Sequence, residues 1–165
     1  MRTLIVRFFA AEDGAPIDGS ASLLAGRWRT AVAAKQKPPR PAPEVQFEVE
    51  DATVINEVLV TAARRFPRHI AWPKSDILQV KLEKSSELII AANHDAPRFV
   101  QLHAGAGQEA GFSNGFLSVA AGHSLQCPHI LPGPYVIDVF DAAKTPIAQL
   151  SVELVAWRTT FIEVP

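Results

Sequence analysis

Four of the five histidines fall in the second half of the chain, at His94, His103, His123 and His129, and the single cysteine, Cys127, lies between the last two. Imidazole and thiolate ligands at short range suit zinc or copper. The segment His123-Ser124-Leu125-Gln126-Cys127-Pro128-His129 carries three such ligands. His94, beside Asp95, and His103 can complete a site if their strands fold against it. A metal site needs converging ligands, however, and scattered histidines are common. The competing expectation puts His94 and Asp95 in one turn, His123 after Gly122 in another, and Cys127 in the core as a small apolar residue. A blue-copper arrangement needs a distant His, then Cys and His on a loop, and a weak axial sulfur. Only Pro128 separates Cys127 from His129, and the sole methionine is Met1. Zinc is therefore the better fit of the two.

Other chemistry is thin. Ser124 adjoins His123, but sequence neighbours do not make a triad, and no Gly-x-Ser-x-Gly elbow is present. The carboxylates are scattered through strands and turns, so no acid/base pair stands out. Gly105-Ala106-Gly107 and Gly111 suggest a glycine-rich loop, yet no Lys-Ser/Thr follows, so it is no phosphate cradle. No catalytic residue is nominated, and no cofactor is expected beyond the zinc or copper reading.

A charged segment stands out more. Residues 27–43 carry Arg27, Arg29, Lys35, Lys37 and Arg40, four prolines and no acidic residue. Proline runs favour an extended backbone, so an exposed arm or long loop is expected, with a solvated linker as the plainer alternative. Such an arm can dock on acidic partners, neighbouring subunits or nucleic acid phosphates, with Arg27, Trp28, Arg29, Lys35, Lys37 and Arg40 as the contacts. Arg64-Arg65-Phe66-Pro67-Arg68-His69 adds a second basic cluster that can share the same face. Trp28, Trp72 and Trp157 are well spaced; on one face they would suit carbohydrate stacking, but aromatic residues more often fill a core or an interface.

The composition frames these candidates. With 16 basic and 17 acidic side chains the formal charge is -1, which gives no global field for nucleic acid. Hydrophobic content of 48% and charged content of 20% fit a folded chain rather than a disordered one. One cysteine excludes an intrachain disulfide framework. The start, Met1-Arg2-Thr3-Leu4-Ile5-Val6-Arg7, lacks the pattern of a signal peptide, and no stretch nears ~18 apolar residues, so a cytoplasmic protein without a membrane span is expected.

Strand signals dominate the elements that must position these residues. Strands are predicted at Thr3 to Phe9, Ala21 to Ala25, 45–50, Val58 to Ala62 and Ile77 to Leu82. A second set follows at Glu87 to Ala91, Phe99 to His103, Phe116 to Ala120, Tyr135 to Phe140, Ala148 to Val155 and Thr160 to Val164. Ala31 to Lys37 and Asn56 to Arg65 tempt a helix assignment but read as mostly non-helical. The halves are loosely alike. Ala15-Pro16 and Leu24-Ala25-Gly26 match Ala96-Pro97 and His103-Ala104-Gly105, and Val58-Leu59-Val60 matches Val136-Ile137-Asp138-Val139 at a similar offset. This favours two small sandwich modules, 1–84 and 87–165, joined near Lys84-Ser85-Ser86, over a single sandwich spanning 1–165.

The strongest single signal is Pro132-Gly133-Pro134-Tyr135-Val136-Ile137-Asp138-Val139, a Pro/Gly turn feeding an alternating strand. Tyr135, Ile137 and Val139 should point to one face, and Val136, Asp138 and Phe140 to the other. This entry, with the turn Asp141 to Pro146 and the strand Ile147 to Val155, resembles the carboxypeptidase-regulatory-like and prealbumin-like (transthyretin-like) β-sandwich group over residues 88–164. In the first half, Val54-Ile55-Asn56-Glu57 replaces the Pro-Gly entry. The resemblance implies an antiparallel Greek-key, Ig-like sandwich used as a scaffold, adhesion unit or binding domain. The prealbumin-like hydrolases of purine breakdown end in Tyr-Arg-Gly-Ser, whereas this chain ends Phe161-Ile162-Glu163-Val164-Pro165, so that activity is not carried over. The expectation is an all-β, non-enzymatic binding or assembly protein acting through protein contacts, as an adaptor or by self-assembly. A metal-dependent protein and a carbohydrate-binding module are the alternatives.

Overall fold

The computed structural model describes residues 2–50, 52, 54–105 and 115–165. Ala106, Gly107 and Gly111 of the glycine-rich stretch lie outside them. Every regular element among the described residues is a β-strand, as the alternation required. The chain divides into two compact units, Met1–Glu83 and Lys84–Pro165.

The first unit holds β1 (Arg2–Ala10), β2 (Gly19–Ala25), β3 (Thr30–Ala31), β4 (Lys35–Lys37), β5 (Glu44–Val49), β6 (Ile55–Ala62), β7 (Arg68–Ala71) and β8 (Ile77–Leu82). They form one sheet in the order β4-β5-β1-β8 and another in the order β3-β2-β6-β7. Alternation decides which side chains meet between the sheets. Leu4, Val6 and Phe8 of β1 are fully buried and pack with Ala21 and Leu23 of β2, Val45 and Phe47 of β5, and Val58 and Val60 of β6. Both sheets feed one apolar cluster, which makes the unit a sandwich.

The second unit holds β9 (Ser86–Ala92), β10 (Arg98–Ala104), β11 (Leu117–Val119), β12 (Ser124–Ile130), β13 (Gly133–Phe140), β14 (Pro146–Leu154) and β15 (Thr159–Val164). Its sheets run β12-β9-β15 and β11-β10-β13-β14. Tyr135, Ile137 and Val139 point into its core with Leu88, Ile90, Val100 and Leu102, while Val136, Asp138 and Phe140 face outward at half burial. The buried Tyr135 hydroxyl donates to the Leu131 carbonyl at 3.0 Å, fastening the Pro-Gly turn to the strand it feeds.

The units share a strand plan. In each, the first strand lies between an antiparallel neighbour, β5 or β12, and the last strand, β8 or β15, which runs parallel to it. The registers also correspond: Ile5 stands opposite Ile77 and Glu87 opposite Thr159, so both members of the pair move by the same offset. The resemblance between the halves therefore extends to strand order and pairing, with β4 as an addition in the first unit.

Three segments differ from expectation. Part of the supposed arm is sheet: β4 pairs with β5 over Lys35↔Glu48, Gln36↔Phe47 and Lys37↔Gln46, and β3 pairs with β2. Cross-strand bonds and charge pairing with Glu48 supply there the order that Lys-Gln-Lys lacks by itself. Arg68–Ala71 forms β7 against β6, and Ser124–Ile130, which lies outside the predicted strands, forms β12 against β9 with a register shift after Cys127.

Candidate interaction surface

The basic segment starts at the hairpin joining β2 to β3. Its tip, Gly26-Arg27-Trp28-Arg29, closes with the Arg29 N–H on the Gly26 carbonyl at 3.2 Å. Gly26 at φ 68 and Arg29 at φ 50 take left-handed backbone on either side of the central residues Arg27 and Trp28. The Asn56 side-chain oxygen accepts from the Gly26 N–H at 2.7 Å, anchoring the tip to β6. Trp28 projects from this frame with 86% of its surface exposed, and the Arg27 guanidinium lies 5.8 Å from its ring centroid. That spacing allows a cation–π contact, which holds the two side chains as one amphipathic unit.

The other cations of the segment are partly neutralised. Arg29 pairs with Glu57 at 3.1 Å, and the same carboxylate lies 3.2 Å from His69 Nδ1. Lys35 and Lys37 converge on Glu48 at 3.8 and 3.1 Å. The Lys37 hydrogen bond, then the charges of Lys37 and Lys35, hold the Glu48 carboxyl below its ordinary range. Arg40 is exposed with no carboxylate partner among the described residues. These pairs sit in water, where each contributes little, so a partner's carboxylates can replace them at small cost.

The second basic cluster is largely structural. Arg65 is buried, its guanidinium bidentate on Glu12 at 2.6 and 2.9 Å and on the Leu82 carbonyl at 3.2 Å. Arg68 reaches Glu83 at 3.2 Å. Arg65 turns inward because it closes the end of the sandwich beside β8, so it adds nothing to an exposed positive face.

The histidines are spread over different elements. His94 is exposed in the turn before β10, and His123 is exposed in the turn before β12. His103, on β10, places Nε2 2.9 Å from Asp138 Oδ2, while Gln149 donates to Asp138 Oδ1 at 2.7 Å. Along β12 Cys127 enters the core, but His129, at φ 59 in the irregular stretch, is exposed. Burial pushes the Cys127 thiol up, away from the thiolate that binds metal. Among the described residues no three His, Cys, Asp or Glu side chains come close enough together to hold a metal ion.

Of the other tryptophans, Trp72 packs against the core of the first unit beneath the Arg2 guanidinium at 5.2 Å, and Trp157 lies under Lys84 Nζ at 4.1 Å. One surface feature was missed in the sequence. Phe99, Phe116 and Phe140 meet edge to face on the second unit, with Lys144 Nζ 5.1 Å from the Phe116 centroid. The signal was present, since Phe99 and Phe140 alternate with the inward Val100 and Val139.

No family model matches the chain. No curated protein matches it either. Among solved structures, the TIE protein of Bacillus anthracis aligns over 99% of this chain at 11% identity and a TM-score of 0.38. The chain spans 33% of that longer chain. A minor pilin of Streptococcus agalactiae aligns over 99% of this chain and 94% of its own, at 10% identity and a TM-score of 0.38. A shaft pilin of Lactobacillus rhamnosus GG aligns over 98% of this chain and 96% of its own, at 10% identity and a TM-score of 0.29. Overlays this loose assign no function. No helix among the described residues is long and apolar enough to cross a membrane.

Proposed function

We propose that this chain is a non-enzymatic assembly protein of prealbumin-like sandwich modules, acting by protein–protein contact through the β2–β3 tip and the basic strand β4. The carrying observation is Trp28, 86% exposed on a hairpin tip held by Asn56 and flanked by two arginines. A rigidly presented tryptophan beside arginine has the composition of an interface hot spot, because it buries a large area with little loss of side-chain freedom. Arg27, Arg40 and the exchangeable cations Arg29, Lys35 and Lys37 favour an acidic partner. Support for the module type comes from the Pro132-Gly133-Pro134-Tyr135 entry, whose tyrosine is buried at the start of β13.

The test is capture of partners from the source cells by wild-type chain and by a Trp28→Ala, Arg27→Ala variant, quantified by mass spectrometry across a salt series. A partner held by wild type, released by salt and lost in the variant is the expected result. Equal capture by both proteins overturns the role of the tip.

A further inference from the structure

We infer that the outer edge of β14 is a strand-addition site whose occupant is β14 of a second copy of this chain, paired antiparallel about Leu150. The inference rests on the assembly reading above but on different residues. An open sheet edge is a template for another strand, and proteins blunt such edges with shortness, proline, charge or bulges. Three edges of the first unit, β3, β4 and β7, are blunted. β3 has two residues, β4 is Lys-Gln-Lys followed by Pro38 and Pro39, and β7 has four residues with Arg68 and His69 between Pro67 and Pro73. In the second unit β11 has three residues, and β12 carries Pro128 and a register shift.

β14 takes in its unit the place that β7 takes in the other, at the end of the sheet beyond the central hairpin. It is different in kind. It runs for nine residues, its register shift against β13 is confined to its start at Ile147, past Pro146 it has no proline, and Glu153 is its one ionisable side chain. β8 and β15, the remaining edges, have six residues each.

Backbone polarity points the same way. Pro134 stands opposite Glu153, and its carbonyl accepts from Gly105 N–H at 2.9 Å, on the side away from β14. The pair Pro134–Glu153 is thus a non-hydrogen-bonded one, and antiparallel alternation directs the main-chain groups of Glu153, Ser151 and Gln149 to the outer edge. On the inner face Ala148, Leu150 and Val152 are only half-buried against the core.

Self-pairing about Leu150 satisfies both sets. Gln149 meets Ser151 of the partner subunit, outward backbone to outward backbone. Ala148 meets Val152 of the partner subunit, and Leu150 meets its own copy, so apolar faces apolar. Glu153 falls opposite Ile147 of the partner subunit, and no like charges stand directly opposed. The charge pattern and the register together select a second copy.

The test is solution mass by light scattering across a concentration series for wild type and Ser151→Pro. Proline at an outward N–H of an edge strand keeps the sheet but removes the donor. A wild-type dimer with a folded, monomeric Ser151→Pro variant is expected. Leu150→Cys should cross-link to a dimer on mild oxidation, since its Cα would lie about 4.5 Å from its copy in a non-hydrogen-bonded pair, and Gln149→Cys should not. If Ser151→Pro fails to fold, the contrast between the two cysteine variants decides. A monomeric wild type, an unaffected Ser151→Pro dimer, or equal cross-linking by both cysteines overturns the inference. Each of these leaves Trp28-dependent partner capture to stand or fall separately.

Discussion

The Arg65 guanidinium grips the Glu12 carboxylate through two hydrogen bonds of 2.6 and 2.9 Å, joining the turn after β1 to the turn after β6. The arginine side chain is 9% exposed and the glutamate 34%, so the pair is shielded on one side only. Arg65→Ala removes the bidentate pair and the bond to the Leu82 carbonyl. A loss of about 2–3 kcal/mol is expected in urea unfolding, below the ~3–5 kcal/mol of a fully buried pair because Glu12 keeps partial hydration. Glu12→Gln should cost less, since an amide oxygen still accepts. A wild-type midpoint for Arg65→Ala would mean that the pair is not formed in solution.

Gly19 has an ordinary backbone conformation, so its glycine is required by space. A Cβ there would lie 2.6 Å from Phe8 Cγ, within the core of the first unit. Gly19→Ala should destabilise by about 1–3 kcal/mol through overpacking. Combining it with Phe8→Leu should cost less than the sum of the single changes, because the smaller side chain vacates the clash. Strict additivity in thermal unfolding would show that the two residues do not touch.

Burial raises the ionisation of both Tyr135 and Cys127 above their ordinary values of 10.0 and 9.0. Each group loses its proton more readily in the unfolded chain. The stability that this protonation contributes is complete below the unfolded values and is lost as pH rises through the folded ones. Unfolding free energy should therefore fall from about pH 9 upward. Tyr135→Phe should flatten the later part of that decline while costing about 1–2 kcal/mol at neutral pH, for the lost bond to the Leu131 carbonyl. Stability unchanged through strongly alkaline pH would contradict the assignment.

Much of the sandwich was legible because alternation is a local code. The alternation over Ile77 to Leu82 marks a strand with the observed bounds, and the inward set Tyr135, Ile137 and Val139 follows from period two alone. The basic tip was legible as charge beside tryptophan. Its paired state was not, since Glu48 and Glu57 reach Lys37 and Arg29 only across strands. β4 was invisible because Lys-Gln-Lys has no apolar alternation and is ordered by its neighbour β5.

The amino-acid sequence by itself determined the all-β class, the inward faces of the strands and the likeness of the halves, because each depends on residues a few positions apart. Only the tertiary structure decided that Arg65 is buried, that Cys127 and His129 part company along β12, and that β14 ends its sheet. Those outcomes depend on which strand lies beside which. Hydrogen bonds and burial between distant segments set that order, and no local spacing encodes it.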